Sequence, residues 1–376
     1  MKLLLCYNRF VMVEKIETNQ SASIIADRYR VDKLIGTGGM AVIYRAWDLK
    51  LERVIALKLL RQKYSNNLSL RDAFNQEARA AASLTHPNIV SIYDTGVSKN
   101  RIFLTLEYVA GINAKHYLIS REMINIKESL DFIMQSCLAI QYAHNHNIIH
   151  CDIKPSNLLI TESNQVKITD FGLAHILNKI NPQETTSNIV WGSPLYISPE
   201  QILGKSPTAE SDIYSLGIVL YELTTGKLPF LSNDVTELLK MHREKRPEPA
   251  KNINPEISDE LNLVIMTAIQ KRPDRRYRSM SEFRNALVSI RQSITMRNIA
   301  PYNNSLSKNE VSSMTEPRND KKVYSRPKPI KSETAINAIS VKRFDIITTL
   351  FAFLATVAVA GLIPFWIYIY FNIPGR

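Results

Sequence analysis

The hydrophobic period of this chain changes once, and that change limits the folds open to it. Tyr29–Gly36, Val42–Trp47 and Arg53–Leu60 are short runs of mixed apolar residues around a glycine turn, the pattern of antiparallel strands. A helical stretch follows at Leu68–Leu84, then two more strand-like runs near Ile89–Tyr93 and Ile102–Glu107. From Lys127 the spacing turns helical, with Leu130, Ile133, Met134, Cys137 and Leu138 on one face, and Ser211–Thr225 is a second strongly apolar helix. The expectation is an α+β, bilobal architecture: a small β-rich N-terminal lobe over about 26–109, a larger helical lobe over about 110–291, and a cleft between them. A composition that is 45% hydrophobic over 376 residues supplies a large core and excludes wholesale disorder.

A second feature constrains the C-terminus. Residues 346–371 read IITTLFAFLATVAVAGLIPFWIYIYF, without a charge. About 20 helical residues cross a hydrocarbon core, so this run predicts one transmembrane helix. Trp366, Tyr368 and Tyr370 suit the headgroup zone at its far end. Lys342 and Arg343 precede the run and only the tail 372–376 follows it, so the positive-inside rule predicts a single-pass protein of the cytoplasmic (inner) membrane with the folded part in the cytoplasm. The formal charge of +12 is concentrated beside this run: 291–343 holds eleven Lys/Arg against four Asp/Glu, or +7. The expected linker, 292–345, is poor in large apolar residues and either lies along anionic lipid, at about 1 kcal/mol per basic residue, or is a solvated tether. No aromatic platform accompanies the charge, and nucleic acid is not expected as a partner.

At the other end, the apolar run Leu3–Cys6 is too short for a signal-peptide core, so residues 1–25 read as a disordered leader, with Met12 as an alternative start. Cys6, Cys137 and Cys151 are odd in number and widely spaced, which argues for a reducing compartment rather than a disulfide framework.

Chemistry gathers in the cleft-forming part. The loop Ile35-Gly36-Thr37-Gly38-Gly39-Met40-Ala41-Val42-Ile43 stands between two strands, where glycines let backbone N–H groups approach phosphates. A dinucleotide-binding motif would instead run into a helix. Lys58 lies in an apolar strand and needs anions at hand, for which Glu77 and nucleotide phosphates are candidates; a lysine that snorkels to the surface is the simpler reading. HCDIKPSN places Asp152, Lys154 and Asn157 together, and Asp170-Phe171-Gly172 follows 18 residues after Asp152. Phosphoryl transfer needs a base near the attacking hydroxyl, hard oxygen ligands for a cation, and positive charge. Asp152, the pair Asn157 and Asp170, and Lys154 offer these in turn. On spacing alone His144, His146, His150 and Cys151 could be read as zinc ligands, but the segment turns from helix to loop there and zinc is not expected.

Taken in order, the glycine loop, Ile55-Ala56-Leu57-Lys58, Glu77, HCDIKPSN, DFG and Ser198-Pro199-Glu200 resemble the eukaryotic-like bacterial Ser/Thr protein kinases over about residues 28–290. The resemblance implies a protein-kinase fold, ATP with magnesium (or manganese), and protein substrates bearing Ser or Thr; it leaves a homodimer open. By position it implies Asp152 as the catalytic aspartate, with Lys154, and Asn157 and Asp170 as metal ligands. Lys58 would hold the α/β-phosphates and pair with Glu77. Backbone groups of Glu107 and Val109 would meet adenine beside the gatekeeper Leu106, and Ile43, Ala56 and Leu159 would sandwich it. Ser193 would lie at the substrate-binding turn, Glu200 and Arg276 would form a buried structural ion pair, and Asp212 would anchor the catalytic loop.

Two positions depart from that pattern. Ala41 replaces a glycine, a small change. Cys151 stands where most members carry arginine before the catalytic aspartate, and a thiol cannot pair with an activation-loop phosphate. Activity is therefore expected to depend only weakly on phosphorylation of Thr185, Thr186 and Ser187. The same departure supports the alternative of a pseudokinase acting as a membrane-tethered nucleotide-binding scaffold.

Overall fold

The computed structural model describes residues 23–39, 41–65, 68–121, 124–171 and 194–294. The chain divides into two units, Met1–Val311 and Ser312–Arg376, and the second lies wholly outside the described residues. So do Met40, Gly172, Thr185, Thr186, Ser187, Ser193, most of the leader, nearly all of the linker and the apolar run 346–371. Among the described residues no helix is long and apolar enough to cross a membrane.

The N-terminal lobe is a six-stranded antiparallel sheet. Its strands are β1 (Ile24–Ile25), β2 (Tyr29–Thr37), β3 (Ala41–Asp48), β4 (Arg53–Leu60), β5 (Ile92–Ser98) and β6 (Arg101–Glu107), in the order β1-β2-β3-β4-β6-β5. Alternation along β4 divides the lobe. Ile55, Leu57 and Leu59 pack with Tyr29, Ala46 and Phe103 on one face. Ala56 and Leu60 point the other way and join Leu104, Leu106, Phe74 and Ala78. Phe74 and Ala78 come from α2 (Leu68–Ala82), which follows the short α1 (Gln62–Ser65). Lys58 shares the face of Ala56 and Leu60, and the register sets it between Ile43 and Leu104.

Ile24 pairs with Arg30 and Ile25 with Tyr29, so the last two residues of the expected leader belong to the sheet. A second difference from the expectation concerns Ile89–Tyr93. Strand β5 starts only at Ile92, because Ile89 and Val90 are drawn across the cleft: Val90 N–H donates to Ile168 O (2.8 Å), and Ile168 N–H donates to Asn88 O (2.8 Å). Those bonds tie the lobes together behind the cleft.

The larger lobe is built around α4 (Ile126–Asn145) and α6 (Ala209–Thr225). Asn125 opens α4 by accepting Lys127 N–H at 2.9 Å, and Gly226, at φ 70°, closes α6 in the left-handed conformation that glycine adopts without strain. Nearly every residue of α6 is buried, as expected of a helix apolar on all sides. It packs on α4 and on α9 (Asp259–Ala268); α3 (Ala114–Arg121), α5 (Pro199–Ile202), α7 (Val235–Glu244), α8 (Ala250–Ile253) and a helix over 280–294 complete the lobe.

A small sheet that the hydrophobic period does not foretell lies at the cleft: β7 (Gly111–Asn113), β8 (Leu158–Thr161) and β9 (Val166–Ile168). Three or four residues are too few to display a period of two. Glu200 and Arg276 form a bidentate pair at 2.7 and 2.8 Å, with the Arg276 side chain fully buried.

Candidate active site

The short sheet positions the polar cluster. Ile153, Pro155 and Leu158 are buried, which pins the segment from Cys151 to the 3-10 turn Pro155–Asn157 against the lobe. Asp212, buried on α6, holds its entrance: it accepts from His150 N–H (2.9 Å) and Cys151 N–H (3.0 Å), and bonds His144 Nε2 (2.8 Å). Those bonds secure Cys151 at φ 68°, a conformation costing about 1–3 kcal/mol for a residue with a Cβ. Gln201 Nε2 donates to Cys151 O at 3.2 Å.

Within that frame Lys154 Nζ lies 2.5 Å from Asp152 Oδ2. Asn157 Nδ2 donates to Asp152 O at 2.9 Å, which leaves its Oδ1 as the donor toward a cation. Thr169 N–H donates to Asn157 O (3.0 Å), so the loop carrying Asp152 and the residue preceding Asp170 are bonded directly. Asp170, also left-handed at φ 69°, reaches up to Lys58, with Nζ to Oδ1 at 2.6 Å. Burial alone would raise the Asp170 carboxyl, but the charge and hydrogen bond of Lys58, with Lys154 and His150 nearby, hold it below the ordinary carboxylate value. Phe171 is buried with its ring 4.6 Å from that of His150.

The structure therefore brings together Lys58, Asp152, Lys154, Asn157 and Asp170 from separate stretches of sequence. Lys58 takes Asp170 as its partner; Glu77 lies on α2 and its side chain is outside the described residues. Ile43, Ala56, Leu106, Val109 and Leu159 meet in one apolar cluster that bridges the lobes. Ile35 stays out of that cluster with 42% of its surface exposed at the loop's edge. Gly36 pairs with Ile43 and Thr37 with Val42, and Gly38 N–H donates to Ala41 O (2.8 Å), closing the glycine turn as a hairpin.

The histidines are occupied otherwise than a zinc site requires. His150 Nε2 bonds Thr169 O (3.0 Å) while its Nδ1 accepts from Asp152 N–H (3.2 Å). His146 Nδ1 bonds Tyr142 O. Among the described residues no three His, Cys, Asp or Glu side chains are grouped to hold a metal ion. For magnesium the donors are of the right kind, the Asp170 carboxylate and the Asn157 amide oxygen, both hard oxygens.

One pair is not foretold by the sequence motifs. Lys167 on β9 bonds the Glu107 carboxylate (2.9 Å), which also accepts Ser91 N–H (3.3 Å). It clamps the strand leading to Asp170 onto the connection between lobes. The alternation Val166-Lys167-Ile168 places a lysine between two buried residues, the one sequence signal for it.

Comparison with known proteins agrees with this geometry. A family model described as protein kinase domain matches residues 29–287. The serine/threonine-protein kinase PrkC of Bacillus subtilis (strain 168) is 40% identical over 258 residues, which is 69% of this chain and 40% of that protein. The serine/threonine-protein kinase PknB of Mycolicibacterium smegmatis is 35% identical over 272 residues, 71% of this chain and 44% of that one. The chain thus spans less than half the length of these curated relatives. Among solved structures, a point mutant of the Mycobacterium tuberculosis PknI kinase domain superposes with a TM-score of 0.58 at 25% identity, covering 72% of this chain and 97% of that one.

Proposed function

The chain belongs to the protein kinase family, and from that premise we propose that it transfers the γ-phosphate of ATP to Ser and Thr hydroxyls of proteins. The observation that carries the reading is the meeting of Lys58–Asp170 with Asp152–Lys154–Asn157 in one cleft, roofed by a glycine hairpin.

In this reading the apolar cluster of Ile43, Ala56, Val109 and Leu159 takes the adenine, and the backbone of Glu107 and Val109 gives it direction. Lys58 holds the α/β-phosphates while remaining within reach of Asp170. Asn157 and Asp170 would hold magnesium, which would supply positive charge against the phosphate oxygens. Asp152 accepts the proton of the substrate hydroxyl as its oxygen bonds to phosphorus and the bond to the β-phosphate oxygen breaks, releasing ADP. Lys154 balances charge on the phosphoryl group in transit and keeps Asp152 oriented. Cys151 contributes its backbone to this frame and no cation, so the reading expects transfer to persist without phosphate on Thr185, Thr186 or Ser187.

Phosphoamino-acid analysis tests the substrate class. With magnesium, labelled ATP and a generic basic protein, the full chain should yield phosphoserine and phosphothreonine, as should the variant with alanine at 185, 186 and 187. Phosphotyrosine as the main product would overturn the assignment.

We also read 346–371 as a membrane span that keeps the kinase domain in the cytoplasm, with the basic segment beside it on anionic lipid. The charge-free run over 346–371 supports this. Alkaline carbonate should leave the full chain in the membrane pellet; its release into the supernatant would contradict the span.

A further inference from the structure

Arg61 has no part in the machinery described above, yet it is bonded to the glycine hairpin. Its Nε donates to Gly38 O at 3.1 Å. The register explains how it arrives there. Ala41 pairs with Leu60 as the last rung between β3 and β4, so Arg61 is the next residue beyond the ladder, beside the turn. Within β4, Ala56, Lys58 and Leu60 lie on the cleft side with Leu106 and Leu159, whereas Leu57 and Leu59 pack on the opposite face. Arg61 follows the end of that strand, and its guanidinium reaches the hairpin turn.

That approach has a consequence for the peptide between Gly38 and Gly39. In a trans peptide the C=O and the following N–H point in opposite directions. No cis bond occurs among the described residues. With Gly38 O turned to Arg61, the N–H of Gly39 is directed away from the Arg61 guanidinium. Gly38 is held at its other end as well, because its N–H donates to Ala41 O. Without a Cβ at either glycine, only hydrogen bonds fix this peptide's orientation.

We infer that Arg61 is a positioning residue for nucleotide binding: its bond to Gly38 O fixes the Gly38–Gly39 peptide so that a backbone N–H faces the phosphates. The inference deepens the ATP reading of the cleft and rests on it. A neutral side chain of similar length should release the peptide to flip, weakening ligands that carry phosphates and sparing those that do not.

The test uses the full chain with Arg61→Met and Arg61→Lys, measuring steady-state constants for ATP, equilibrium binding of ATP and of adenosine, and the thermal midpoint. For Arg61→Met the KM and Kd for ATP should rise about five- to tenfold, the loss of roughly one charge-assisted hydrogen bond at a solvent-exposed site. Adenosine binding, kcat and the midpoint should stay close to native. Arg61→Lys, which keeps a cationic donor, should recover most of the ATP affinity. Unchanged ATP affinity in Arg61→Met overturns the inference. So does equal weakening of ATP and adenosine, which would make Arg61 a structural residue. If the native chain binds ATP without transferring phosphate, the kinase reading fails while the ATP-to-adenosine comparison still decides the role of Arg61. If it binds neither, both fail.

Discussion

Arg276→Ala should lower the stability of the folded domain by about 3–5 kcal/mol, because it leaves the Glu200 carboxylate buried without its counter-charge. The pair is closed on all sides. The Arg276 side chain has no exposed surface, the Glu200 side chain keeps 8% of its own, and the two terminal guanidinium nitrogens bond one carboxylate oxygen each. Arg276 donates further to the carbonyls of Gln270, Glu210 and Lys271, and Ser211 donates to Glu200. One residue therefore joins α5, the start of α6 and the segment after α9. Burial alone would raise the Glu200 carboxyl; the Arg276 hydrogen bonds and charge outweigh it and hold it below its ordinary value of 4.5. Since the folded form titrates lower than the unfolded one, this contribution is present above about pH 4.5 and is lost as the pH falls through the folded value. In the variant, only the Ser211 and backbone hydrogen bonds remain to oppose burial, and the carboxyl shifts upward. Urea unfolding at neutral pH measures the loss. Arg276→Lys should fall between the two, retaining a charge but not the planar fork. A change below about 0.5 kcal/mol, the range of ordinary surface substitutions, would show that the pair is dispensable.

The second large effect is expected at Lys58. Lys58→Met should reduce kcat/KM for ATP by about 10²–10³-fold, the scale of removing one preorganised charged partner from a transition state. Two consequences of the geometry combine. The phosphates lose their cation, and Asp170 loses the partner 2.6 Å away that keeps its half-buried carboxyl ionised. The Asp170 carboxyl is held below 3.8 in the native fold, so its stabilising contribution fades only as the pH falls below that value. In Lys58→Met burial pushes it upward, and acid should destabilise the variant at a higher pH than the native chain. A kcat/KM within threefold of native would remove Lys58 from the phosphate site.

Much of this was legible in the sequence for identifiable reasons. The three strands around the glycine turn and the helices at Ile126–Asn145 and Ala209–Thr225 are long enough to carry a period, and they occur within a few residues of where the pattern puts them. The polar cluster was legible because its residue types and order have few other uses together. What escaped depends on tertiary contact. Ile89 and Val90 read as strand but bond to Ile168 across the cleft, a choice set by a partner far along the chain. Strands β7, β8 and β9 are too short to show alternation. The pairing of Lys58 with Asp170, the clamp of Lys167 on Glu107 and the hold of Arg61 on Gly38 join residues distant in sequence, and only the folded register of the strands that carry them reveals the contacts.

The most direct measurement of the central claim is phosphate transfer from labelled ATP by the native full chain beside Asp152→Asn, with magnesium and a generic protein substrate. Asparagine keeps the size of the side chain and removes the proton acceptor, so the account predicts label from the native chain and a loss of about 10²–10⁴-fold in the variant at unchanged thermal midpoint. Equal transfer by both would contradict the role of Asp152. No transfer by a native chain that is folded and binds ATP would contradict the kinase reading itself and leave a nucleotide-binding scaffold in its place.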